Sequence, residues 1–150
     1  MKISLNIITL ILFFFFSSAN LNADGMYRIS EFDILVDLAS NDSKNCGLTK
    51  NDFLTETKYF FSTHPGIKYS STADPHIYIV ASIIKNNYGC TGSLNIYAKD
   101  FITYNADIID GVFWFDGGMS QGNHSDFKNQ FLKNINKFLK RFFVEWTDDN

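Results

Sequence analysis

Apolar and polar positions alternate over Phe32–Leu38. Phe32, Ile34, Val36 and Leu38 fall on one side and Asp33, Leu35 and Asp37 on the other, the pattern of a half-buried strand. His76–Lys85 differs, because both of its sides are apolar: Ile77, Ile79, Ala81 and Ile83 on one, Tyr78, Val80 and Ile84 on the other. A strand of that kind needs covering on both faces and is expected in the middle of a sheet. Ser93–Tyr104 follows the turn-rich residues Asn86 to Gly92 as the second arm of a hairpin. Its phase slips near Lys99-Asp100, which predicts a bulge. Ile108–Phe115 predicts another strand, with Gly111 marking a bulge or a close approach.

The period lengthens to that of a helix in two places. Over Leu48–His64, Phe53, Leu54, Thr57, Phe60 and Phe61 share one face. Thr49 is the expected N-cap and Asp52 stands three residues on, a capping-box spacing, while Leu48 and Phe53 are placed to form a hydrophobic staple. Pro65-Gly66 ends the helix. Over His124–Trp146, Phe127, Phe131, Ile135, Phe138, Phe142 and Trp146 recur at three or four residues, with lysines between them. Ser40–Gly47, Ser70–Pro75 and Asp116–Asn123 read as loops or turns, and Ile67 with Tyr69 as a short strand. The order is strand, helix, short strand, three-strand meander, helix. It predicts an α+β two-layer sandwich: a mainly antiparallel four- to five-stranded sheet with two helices on one face.

Length and composition narrow the class. The chain has 150 residues, a formal net charge of −3 and 45% hydrophobic residues, which fits one folded domain and argues against a nucleic-acid partner. Met1–Ala23 has the form of a signal peptide: Lys2, then a largely apolar run from Ile3 to Phe16, then small and polar residues. The run is short against the roughly 20 apolar residues a bilayer span needs, so cleavage after Ala19 or Ala23 is expected rather than retention as an anchor. Residues 1–23 are therefore read as leader and residues 24–150 as a single exported domain, secreted or periplasmic, with no membrane span after cleavage. In that setting Cys46 and Cys90 are most simply one disulfide, the rival readings being two buried thiols or a metal pair with a histidine.

No catalytic or metal motif stands out. His64, His76 and His124 make no H-E-x-x-H and no His/Cys metal spacing, and each reads as a surface or cap residue. Asp74, His76 and a serine from Ser70-Ser71 could mimic a hydrolytic triad, but no G-x-S-x-G accompanies them. The glycines of Asp116–Asn123 fit no phosphate-binding motif, and the loop reads as a connector with positive φ at glycine. The lysines of the last helix read as a solvated face.

Four features together carry a resemblance. They are Cys46-Gly47-Leu48-Thr49 opening a helix, Asp74-Pro75-His76-Ile77-Tyr78-Ile79 opening a strand, the Gly89-Cys90 hairpin, and Trp114 ahead of a glycine loop and a terminal helix. The pattern resembles small exported bacterial domains of unknown function, and its element order is similar to the TolB amino-terminal-like fold. That resemblance implies periplasmic or cell-surface complexes and brings no catalytic residues with it.

The leading expectation is thus an exported, non-catalytic binding module for a protein partner, without cofactor or metal. A secreted hydrolase using Asp74, His76 and a nearby serine is the alternative, and a secreted effector or inhibitor a third. A binding site is expected at one end of the sheet, from Trp114, Phe115, Asp116, Gly117, Gly118, Gly122 and Asn123, because binding residues concentrate on loops held by a rigid scaffold.

Overall fold

The structure is a computed structural model that describes residues 30–39, 41–104 and 107–148. The expected leader lies outside the described residues, as do Asn105 and Ala106. The elements are β1 (Glu31–Leu38), a 3-10 turn (Asn41–Cys46), α1 (Lys50–Thr63), β2 (Lys68–Tyr69), β3 (His76–Asn86), β4 (Gly89–Tyr104), β5 (Asp107–Gly122) and α2 (Phe127–Asp148).

The fold is α+β, and among the described residues five strands form one sheet in the order β2-β1-β3-β4-β5. β3, β4 and β5 are antiparallel neighbours, as their short connections require. β1, however, runs parallel to both β2 and β3. The sheet is therefore mixed, which corrects the expectation of a mainly antiparallel one. Parallel neighbours need a long crossover, and the 3-10 turn, α1 and the turn before β3 supply it.

Both helices start for local reasons, and the first also stops for one. At α1 the Thr49 hydroxyl accepts from the Asp52 N–H, and the Asp52 carboxylate accepts from the Thr49 N–H at 2.8 Å, so the capping box is complete. Leu48 and Phe53 are both fully buried. Gly66, at φ +101°, turns the chain where a side chain would be strained, and the Trp146 ring packs over it. At α2 the Asn123 carbonyl accepts from the Phe127 N–H, and Asn123 Oδ1 accepts from the Asp126 N–H at 2.9 Å.

Register fixes which strand residues share a face. Ile34, Ile77 and Ala98 are direct cross-strand neighbours, as are Val36, Ile79 and Ile96. Ile77, Ile79, Ile96 and Ala98 are all fully buried. Aromatic contacts tie the helices to this core. Phe32 of β1 meets Phe61 of α1 at 6.2 Å and Phe142 of α2 edge-on at 5.5 Å, and Phe53 meets Phe131 between the helices. The disulfide Cys46–Cys90, with Cα atoms 6.1 Å apart, joins the 3-10 turn to the start of β4.

Candidate functional site

β5 does not end at Phe115 but continues to Gly122, so the glycine stretch is strand rather than loop. Gly117, Gly118 and Gly122 are not at positive φ. They are glycine because other groups occupy their side-chain space. A Cβ on Gly117 would stand 2.4 Å from Asn95 Oδ1 and 2.8 Å from the Leu94 carbonyl, and one on Gly118 would press on the Phe138 ring at 3.2 Å. A register shift lies between Ala98 and Lys99, close to the expected bulge, and leaves Phe113 as the extra residue on β5.

The pleat divides the expected binding residues between two faces. Trp114, Asp116 and Gly118 lie on the side of Ala98, Ile96 and Leu94. There they meet α2. The Trp114 Nε1–H donates to Glu145 Oε2 at 2.7 Å, and its ring packs on Phe142 at 5.2 Å. Arg141 Nη1 donates to Asp116 Oδ2 at 2.7 Å, and Asn134 donates to the Ser120 hydroxyl at 2.6 Å. Gly122 lies against Phe127 and Gln130, and Asn123 caps α2. Gly122 and Asn123 also line a small recess of about 220 Å³ with Tyr88 and Gln121. Phe115 and Gly117 point the other way.

That other face carries a row not expected from the sequence. Leu35, Tyr78, Tyr97 and Phe115 are successive direct neighbours across β1, β3, β4 and β5. The Tyr78 and Tyr97 rings are 6.1 Å apart, and those of Tyr97 and Phe115 5.0 Å apart. Lys99 Nζ stands 4.9 Å from the Tyr78 ring centre and is ion-paired with Asp110 at 2.8 Å. The Tyr78 hydroxyl donates to Asp37, on the same face. Phe115 is 55% exposed and Met119, two positions along this face of β5, is 77% exposed. Period-two alternation of Tyr78 and Tyr97 with buried residues was the available signal. The missing information was the register that aligns four strands.

The histidines are held by local contacts. His76, expected at the surface, is 8% exposed, and the Phe101 ring of the neighbouring strand lies 6.1 Å from it. Its Nδ1 lies 3.1 Å from the backbone carbonyl of Asp74, not from the carboxylate a triad would use, and the Ser70 hydroxyl pairs with that of Thr72. His64 donates from Nδ1 to the Phe60 carbonyl and stacks on the Phe60 ring. His124 Nδ1 lies 3.5 Å from Cys90 Sγ.

Among the described residues no group of His, Cys, Asp and Glu is arranged to hold a metal ion, and no helix is long and apolar enough to cross a membrane. A groove of about 440 Å³ is lined by Phe61, Ile67, Lys58, Lys68 and Tyr69, with Lys58 Nζ 4.0 Å above the Tyr69 ring. Comparison with family models, with curated proteins and with solved structures returns no match.

Proposed function

We propose that this chain is an exported, non-catalytic protein-binding module. In this reading it is a two-layer sandwich similar to the TolB amino-terminal-like fold: both helices cover the Ile96 face of the sheet, and the Tyr97 face is the binding surface. The observation that carries the reading is the row Leu35, Tyr78, Tyr97, Phe115, which sets three aromatic rings side by side on β3, β4 and β5, next to Leu35 of β1, with Phe115 largely exposed. Exposed aromatic clusters on a rigid scaffold are the usual anchors of protein interfaces. The Cys46–Cys90 disulfide fits an oxidising compartment, and with the leader Met1–Ala23 supports the periplasm or the extracellular space.

The test is selection of ligands from a displayed random-peptide library on the exported protein. Ligands of this module lose binding to Tyr97→Ser and to Phe115→Ser while both variants stay folded. Ligands that bind both variants as they bind the parent chain place the site elsewhere.

A further inference from the structure

We infer that the outer edge of β5 between Phe115 and Gln121 accepts an extended segment of a partner protein, acidic and apolar at alternate positions, as a sixth strand. The inference rests on the reading of the chain as a binding module and adds the kind of partner it takes. Among the described residues β5 stands at the end of the sheet and pairs on one side only. Edge strands of that length are normally blunted by proline or lysine, and Phe115–Gly122 contains neither. Its acidic residue, Asp116, is already paired with Arg141. An added strand would bond to the outward main-chain groups, displacing the Asp116 Oδ1 contact that the Gly117 N–H now makes at 2.7 Å, and set its alternate side chains beside those of β5. On the Tyr97 face it would meet Phe115 and Met119, which calls for apolar residues there.

On the other face it would meet α2. Asn134 and Arg141 each reach down to β5, to Ser120 and Asp116. Lys137 lies between them on the same helical face, and Lys133 is one turn before it. Both lysines are exposed, and among the described residues neither is paired with a carboxylate. Four helical residues rise about 6 Å and two strand residues about 6.8 Å. Since α2 runs along β5 through these contacts, alternate residues of an added strand fall in step with Lys133 and Lys137. Carboxylates at those positions neutralise both. A second copy of the chain, paired edge to edge, would instead oppose lysine rows and is disfavoured.

The probes are synthetic eight-residue peptides alternating valine with glutamate, the same with lysine for glutamate, and two N-methylated forms of the first, one methylated at the valines and one at the glutamates. The valine–glutamate peptide binds the exported protein, more weakly at high salt, and one of the two methylated forms fails to bind. Lys133→Glu with Lys137→Glu weakens it by about tenfold or more and admits the valine–lysine peptide. Thermal melting checks that this surface variant is folded. Equal binding of both peptides, no binding of either, or unchanged affinity in the lysine variant would overturn strand addition. If library-selected ligands still depend on Tyr97 but not on Lys133 and Lys137, the binding module stands and the edge proposal falls.

Discussion

Asp52, in the first turn of α1, accepts a hydrogen bond from Lys128 of α2 at 2.6 Å, and the same carboxylate closes the capping box with the Thr49 N–H at 2.8 Å and hydroxyl at 2.6 Å. One side chain therefore starts a helix and clamps it to the other. Burial by itself would raise the Asp52 carboxyl, but the hydrogen bonds from Lys128 and Thr49, with the nearby Lys128 charge, outweigh it and hold the group below its ordinary 3.8.

Asp52→Asn is expected to lower stability at neutral pH by about 1 kcal/mol, from the loss of one cap contact and one partly exposed ion pair. The sign with pH follows from the lowered folded value. The stabilisation is complete above the ordinary 3.8 and is lost as pH falls through the folded value. Urea midpoints of the two chains should differ at pH 7 and converge as pH falls below 3.8 and through the folded value. An equal difference at both would contradict the clamp.

Reducing Cys46–Cys90, or replacing both with serine, is expected to cost about 4 kcal/mol in the chain-entropy description of a loop of this length. Peptide mapping without reductant should recover the two cysteines in one linked fragment. Two alkylatable thiols in the native protein would contradict the assignment.

Gly92→Ala is expected to destabilise by about 1–3 kcal/mol. Its Cβ would stand 2.7 Å from the buried Phe131 ring and 3.1 Å from the Ser82 carbonyl, so the helix cannot approach the sheet as it does now. Thermal melting measures the loss, and an unchanged midpoint would show that α2 does not press on β4 there.

Much of this fold can be read from local pattern. The Thr49–Asp52 box, the buried side of β3 and the amphipathic stripe of α2 each depend on residues close in sequence. What could not be read depends on distant partners. The parallel pairing of Ile34 with Ile77 leaves no mark in either strand. Gly117 and Gly118 look like a loop because the groups that fill their space, Asn95 and Phe138, come from other elements. For the same reason Trp114 and Phe115, adjacent in sequence, serve opposite faces once β5 is recognised as a strand.

The proposed export predicts a new amino terminus. Sequencing the mature protein should begin at Asn20 or Asp24, following cleavage after Ala19 or Ala23. An intact Met1 on a membrane-bound product would contradict the leader.

The most direct test of the Tyr97 face is binding by Phe115→Ser and Tyr97→Ser, compared with the parent chain against the same library-selected peptides. Phe115 is more than half exposed, so its replacement should leave the melting temperature within a few degrees. Binding should fall by about tenfold or more in each variant. Undiminished binding by both folded variants would contradict the claim that this face is the one that binds.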